Sequence, residues 1–508
     1  MRRITQHRTD ESGFDESLHA LVRHAPWWMT SLAFHLIVLM ILWGITMPVR
    51  VDGGTRVMVA EQRDATVAPE EIPPPPPPDI EIETPIETPV TVFEDDDTIE
   101  DPTDDPTMRA AGEEGTTEGA FTGAGDNSAI GIGANTGGGP GGPGGRDRKR
   151  PRGGLRPTED SVDLGLRWLA DHQDVATDGK WDCDDFGKHD PVADRCDGPG
   201  GALYDVGVTG LALLAFLGAG YTDRGDGPFV ANVRGGLRYL MSMQDDDGCF
   251  GSRSSQHFMY NHAIATLAIT EAYWMTRNPR YRKPAQDGLD FISRARNPYL
   301  AWRYEPRGGE NDTSVTGWMV MALKSGMFAG LAIDPDAFEG ARQWVDKMTD
   351  PEFGQVGYNM PGGAVARPEG LQDRFPPEKS QAMTAAGILT RIFLGEDPRT
   401  SEMIRKGANL CLERLPTWNP DDGSIDMYYW YYATLALFQV GGPPWKKWNE
   451  SMVPAIVKSQ HPRGQGARTG SWDPIDPWGR DGGRVYATAC MVMCLEVYYR
   501  YDRVVGIR

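Results

Sequence analysis

The sequence predicts an all-α fold, an α/α toroid of about six helical hairpins in residues 156–508, and three observations carry that expectation. One phrase is written twice: Gly165, Trp168-Leu169, Gln173, Gly179, Trp181, and then Gly235, Tyr239-Leu240, Gln244, Gly248, Phe250. Each copy leads into a strongly apolar stretch, residues 208–217 and 263–269, with little polar alternation. That pattern suits an inner helix buried on most sides and paired with an amphipathic outer helix. Weaker copies then continue to the end of the chain.

Within one unit, an outer helix carries the aromatic-Leu pair and a Gln closes it. An Asp-Gly turn (Asp178-Gly179, Asp247-Gly248) reverses the chain, and an aromatic plugs the corner before the inner helix. The third unit runs from Phe291-Ile292 through Trp302 to a helix over residues 312–324. The fourth runs from Trp344-Val345 through Gly357-Tyr358 to residues 381–393. The fifth leads from Gly407 through Asp422-Gly423 to an aromatic helix over residues 428–440. The sixth leads from Met452 through Gln460 and Gly470-Ser471-Trp472 to residues 485–501. This Gly–aromatic–Leu–Gln–Gly–Trp/Phe pattern resembles the QW repeats of the terpenoid cyclase and protein prenyltransferase superfamily, in the squalene cyclase-like form. The resemblance implies the toroid and leaves the function open, because this fold hosts several activities.

The N-terminal third reads differently. Residues 27–47 are mostly apolar and hold no Asp, Glu, Lys or Arg, which is long enough for one membrane-spanning helix. Arg2, Arg3, Arg8 and Arg23 precede it, so the positive-inside bias points to a cytoplasmic tail over residues 1–26. The toroid is then expected outside the cytoplasm, in the periplasm of a cell with an inner membrane. Residues 51–155 cannot bury a core: a proline run at 73–78 is followed by acidic and then Gly-rich sequence, the composition of a disordered tether. The net charge of −21 argues against a nucleic-acid partner. A basic cluster ends the tether (Arg146, Arg148, Lys149, Arg150, Arg152) and reads as a solvated hinge or as a contact for an anionic polymer or lipid.

Ser31 and His35 share one face of the spanning segment, and an ionisable residue there is a functional hypothesis. The Ser-x-x-x-His pair, the single span and the proline run together resemble TonB-type energy transducers. That resemblance implies proton coupling through Ser31 and His35 and a proton-channel-type partner in the inner membrane. The alternative is a plain signal anchor.

Candidate site residues in the toroid follow from its geometry, since inner helices that start at one mouth bring their N-termini together. Asp205, His262, Asn311, Tyr428 and Tyr486 are the expected ligand-binding residues. Tyr204, Tyr260, Lys379, Ser380, Asp426, Tyr429 and Arg484 stand at the same level. Helix capping is the competing explanation for Asp205, Asp312 and Ser380. Asp312 is the catalytic candidate, because Gly309-Glu310-Asn311-Asp312-Thr313-Ser314 is similar to the Asp-x-Asp-Asp-Thr-Ala acid motif of squalene-type cyclases. It keeps one Asp and the Thr but lacks the carboxylate cluster that would hold a proton ready.

Asp247, Cys249 and His262 echo the zinc ligands of prenyltransferases but fall in a single repeat. A polysaccharide hydrolase or lyase would use paired acids beside aromatics, such as Glu305, Glu310, Trp302 and Trp318, or Asp473, Asp476, Trp472 and Trp478. No cofactor and no metal are assigned. Cys183 and Cys196 are the expected disulfide of an exported domain, closing an acidic loop that also holds Asp182, Asp184, Asp185, His189, Asp190 and Asp194; a metal site in that loop is the alternative to a stapled, solvated one. The ligand expected at the mouth is a peptide, lipid or glycan, with a ligand-binding or scaffold module as the first reading and an enzyme, a terpenoid cyclase-like isomerase or a polysaccharide hydrolase or lyase, as the alternative.

Overall fold

The computed structural model describes residues 156–497. Among them twelve α-helices alternate between two rings. The outer helices are α1 (Arg156–Asp171), α3 (Val230–Ser242), α5 (Pro279–Ala295), α7 (Pro335–Met348), α9 (Glu402–Leu412) and α11 (Gly442–Ser459). The inner helices are α2 (Asp205–Gly218), α4 (Phe258–Thr276), α6 (Thr313–Phe328), α8 (Ala382–Phe393), α10 (Met427–Val440) and α12 (Gly479–Leu495). Successive inner helices pack on one another from α2 to α12, and α12 packs back on α2. The outer ring closes as well, because α11 lies against α1. The α/α toroid is therefore complete within the described residues.

Burial explains which helix goes where. Every residue of α2 and of α8 is buried. The outer helices bury only one stripe, such as Tyr281, Ala285, Gly288, Leu289 and Ile292 on α5. An all-round apolar helix must sit in the middle, and a one-sided helix can cover it. Pro279 and Pro335 open α5 and α7 behind the capping side chains of Asn278 and Asp334.

The recurring Gln and Trp are the fasteners between units. Gln173 Nε2 donates to Gly179 O in its own turn (2.7 Å) and to Asn232 O in the next outer helix (2.9 Å). Gln244 repeats this toward Gly248 O and Pro284 O, both at 3.0 Å. Gln460 does so across the seam, to Gly470 O and to Ser161 O of α1, both at 2.8 Å. Trp181, Trp302 and Trp472 each donate their indole N–H back to the preceding outer helix, at Leu169 O, Ile292 O and Ile456 O. The turn glycine is obligatory for two reasons. Gly179 and Gly470 have φ of 91° and 93°, and an added Cβ would lie 2.4 Å from Gly235 O and 2.3 Å from Leu164 O.

The expected spanning helix at 27–47 with Ser31 and His35, the tether at 51–155, and the end of the last expected helix beyond 497 lie outside the described residues. No described helix is long and apolar enough to cross a membrane. The last inner helix also starts earlier than expected. It begins at Gly479 and breaks at Gly483 (φ 65°) before running on regularly.

Gln460→Ala leaves the buried carbonyls of Ser161 and Gly470 without this donor, so it is expected to cost about 2–4 kcal/mol in urea unfolding of the full-length chain. A loss below about 0.5 kcal/mol would show that the seam does not depend on this side chain.

Candidate functional site

A cavity of about 340 Å³ opens where the inner helices begin. All six contribute to its wall, five from their first two turns and α12 from the two turns after its break at Gly483: Val208 and Leu211, Tyr260 and Ile264, Ser314 and Trp318, Ala382 and Met383, Tyr428 and Tyr431, Tyr486 and Cys490. The connection between α7 and α8 adds Tyr358 and residues 365–369. The wall is mostly aliphatic and aromatic, with tyrosine hydroxyls and the polar side chains of His257, Asn261, Arg367, Glu369 and Asp481 set into it.

Those hydroxyls form three linked groups. Tyr260 OH donates to Ser314 Oγ at 2.8 Å, and Ser314 Oγ lies 2.7 Å from Tyr428 OH. Tyr304 and Tyr358 share a hydroxyl–hydroxyl hydrogen bond, and Tyr358 OH donates onward to Asp312 Oδ2 at 3.1 Å. Tyr486 OH donates to Asp476 Oδ2 at 3.0 Å. Burial pushes the Tyr260, Tyr358, Tyr428 and Tyr486 phenols above their ordinary range, so they stay neutral donors.

Two carboxyls stand behind these tyrosines. Asp312 is fully buried, and its Oδ1 caps α6 by accepting the Val315 N–H at 2.7 Å. The Arg303 guanidinium is 3.8 Å from its Oδ2 and lies over the rings of Tyr304 and Tyr358. Burial pushes the Asp312 carboxyl up to about 7, against the pull of the Val315 N–H, Tyr358 and Arg303. Asp476 also rises to about 7, through burial and then the charge of Asp426. Asp426 caps α10 and pairs with the buried Arg367 at 2.9 Å. Asp476 Oδ1 is buried without a hydrogen bond. The charge of a second buried acid thus bears on Asp476, through Asp426, and not on Asp312.

Three expected site residues turn away from the cavity. His262 is fully buried, and its Nδ1 accepts the Phe250 N–H at 3.0 Å. Burial lowers its pKa to about 3, so it is a neutral corner post. Asn311 Oδ1 accepts from Ala301 N and Asn297 Nδ2, which ties down its own connection. Asp205 accepts from Lys180 Nζ at 2.7 Å and Cys183 N at 2.9 Å. Tyr428 and Tyr486 do line the cavity.

The expected Cys183–Cys196 bridge is not formed. Both thiols are free and donate to different backbone carbonyls, Cys183 to Asp481 O and Cys196 to Ala467 O, each at 3.1 Å. The sugar-platform candidates divide: Trp318 and Trp478 line the cavity, and others are spent on structure. Trp302 and Trp472 are corner pins, and Asp473 pairs with His461 (2.8 Å) and Arg484 (2.7 Å). Residues missed in the sequence, Tyr358 and Arg367, come from residues 349–381. The length of that connection was the available signal, since a long connection inside a compact ring often carries function.

No protein-family model matches the chain, and no characterised protein matches it in sequence. Solved structures do resemble it. An α-1,6-mannanase from Salegentibacter is 12% identical, with a TM-score of 0.46 over 67% of this chain and 98% of its own. The type II terpene cyclase MstE from Scytonema is 12% identical, with a TM-score of 0.43 over 67% and 98%. A cellobiose 2-epimerase from Bacillus thermoamylovorans is 13% identical, with a TM-score of 0.47 over 67% and 97%.

Asp312→Asn keeps the helix cap, because Asn caps as well as Asp. A carboxyl whose folded pKa is raised from the ordinary value of 3.8 to about 7 contributes stability that is complete below about pH 4 and is lost as pH rises through about 7. The Tm of Asp312→Asn is therefore expected to gain on the wild type as pH rises from 4 to 7, and a constant difference would contradict a buried, proton-holding Asp312.

Proposed function

We propose that the toroid binds an apolar small molecule, lipid- or isoprenoid-like, in the lumen, with an oxygen-bearing end at the tyrosine hydroxyls. The observation that carries this reading is the wall itself. Aliphatic and aromatic side chains from all six inner helices enclose about 340 Å³, within the ~300–1,000 Å³ range of small-molecule sites. A glycan would need polar groups around its whole perimeter and acids open to the cleft. Here Asp312, Asp426 and Asp476 are buried; Glu369 and Asp481 are the acids that line the cavity, and most of the remaining wall is apolar.

Acid chemistry on that ligand is a second reading, favoured by the hydrogen-bonded series from Asp312 to Tyr358 to Tyr304. A carboxyl held near neutral pKa can keep its proton until substrate binds; with that proton on Oδ2 the hydrogen bond to Tyr358 reverses, and the two phenols can pass the proton to a carbonyl in the cavity. Asp312 would be the proton source and Arg303 would stabilise the carboxylate left behind. In the same proposal, residues 27–47 anchor the chain and the tether presents the toroid beyond the membrane surface. Ser31 and His35 would then face a proton-conducting partner.

Extraction of the purified full-length chain followed by mass spectrometry is expected to reveal an enriched apolar compound, absent from Leu211→Trp, in which the indole fills the cavity. A wild type that carries no such compound and takes up no fluorescent lipid probe would sink the binding reading. Asp312→Asn is expected to retain the compound and, if acid chemistry operates, to leave it unconverted. His35→Ala is expected to release a co-purifying membrane partner, and equal recovery with both chains would reduce the span to an anchor.

A further inference from the structure

Away from the lumen, the end of α1 and the long connection over residues 172–204 bring together His172, Asp190 and Cys196. Each offers one donor atom, and the three atoms lie within 4.8 Å of one another. All three are withdrawn from solvent: His172 is 3% exposed, Cys196 6%, and the Asp190 side chain 7%. Asp190 and Cys196 come from one loop, six residues apart, and His172 joins them from the end of α1.

The histidine is held in one orientation. Its ring stacks on Trp168 with centroids 4.1 Å apart, and Nδ1 lies 2.7 Å from Trp168 O. A carbonyl oxygen only accepts, so the ring proton resides on Nδ1 and Nε2 carries a bare lone pair. Nε2 is buried and makes no hydrogen bond, although Asp190 Oδ1 stands 3.0 Å from it. A lone pair and a carboxylate oxygen facing at that distance repel unless positive charge lies between them. A second ring proton is one solution. A cation is the other, and it alone also gives the thiol a role.

The remaining donors are equally prepared. Asp190 is oriented by the Cys196 N–H, which donates to its Oδ2 at 2.9 Å. Cys196 Sγ now donates to Ala467 O at 3.1 Å, and that proton would leave on metal binding. An imidazole whose other nitrogen is fixed by a carbonyl is the usual supporting arrangement around a metal. Imidazole nitrogen, thiolate sulfur and carboxylate oxygen together select zinc over calcium or magnesium.

We propose that His172 Nε2, Asp190 Oδ1 and Cys196 Sγ bind one zinc ion, with a fourth position for water. The neighbouring Asp182, Asp184 and Asp205 differ, because Lys180 and Lys188 already neutralise Asp182 and Asp205. The ion clamps the seam of the ring. Asp194 accepts the Ala467 N–H at 2.8 Å, Arg468 pairs with Asp197 at 2.6 Å, and Trp168 donates to Ala467 O at 2.9 Å, all joining the first repeat to the last. Zinc would therefore stabilise closure without touching the lumen.

The test is metal titration of the full-length chain after chelator treatment, with zinc competing against a chromophoric chelator and with cobalt(II) as a spectroscopic probe. One zinc per chain is expected, with a rise in Tm on zinc addition and a thiolate-to-cobalt charge-transfer band. Cys196→Ser should lose that band, and His172→Gln should weaken binding about 10-fold or more. The wild-type arms decide the matter even if the variants fold poorly. A wild type that takes up no stoichiometric zinc, or whose Tm zinc leaves unmoved, would leave a plain imidazolium–carboxylate pair and overturn the proposal. Retained binding in both variants would overturn it too.

Discussion

The ring exists because a glutamine at the end of each well-kept outer helix reaches a buried carbonyl in the next one. Gln173, Gln244 and Gln460 make the same two hydrogen bonds, and only the last spans the whole domain, from residue 460 to residue 161. A helical array that stayed open at that seam would expose two apolar ends. Closing it satisfies buried carbonyls that water cannot reach and packs the turn glycines so closely on the neighbouring backbone that a Cβ would not fit. The lumen is a consequence of that closure.

Closure also sets the electrostatics of the mouth. Six helix N-termini converge there, so aspartates that cap helices become buried acids beside a cavity. Asp312 and Asp426 each spend one oxygen on a cap, which leaves the other for a tyrosine or an arginine. Capping and proton storage are therefore compatible roles of one carboxyl, and the first does not exclude the second. The low dielectric that raises the Asp312 and Asp476 pKa values is supplied by the apolar wall that would receive a ligand.

Much of the fold was legible because its signals are local. Inner helices announce themselves as apolar on every side, outer helices as one-sided, and the corner as Asp-Gly followed by an aromatic. The level of the candidate site was legible too, since it follows from the starts of the inner helices. The individual residues were less so. His262 and Asn311 share that level with Tyr428 and Tyr486, yet they point into the joints between helices while the tyrosines point into the lumen. A one-residue difference in helical phase makes that choice, and periodicity does not resolve it when all faces are apolar. Tyr358 and Arg367 were hidden for another reason, because an irregular connection carries no period at all.

The chain's own text, taken alone, determined the all-α class, the repeat and the placement of Gln173, Trp181, Gln244 and Phe250 as fasteners, because each of these rests on contacts within one hairpin or with the next. Tertiary structure alone decided which acids meet, that Cys183 and Cys196 remain separate thiols, and that His172 faces Asp190 and Cys196. Those outcomes depend on where two long connections, residues 172–204 and 349–381, are laid across a closed ring. Only closure, which joins residues some 300 positions apart, fixes their paths.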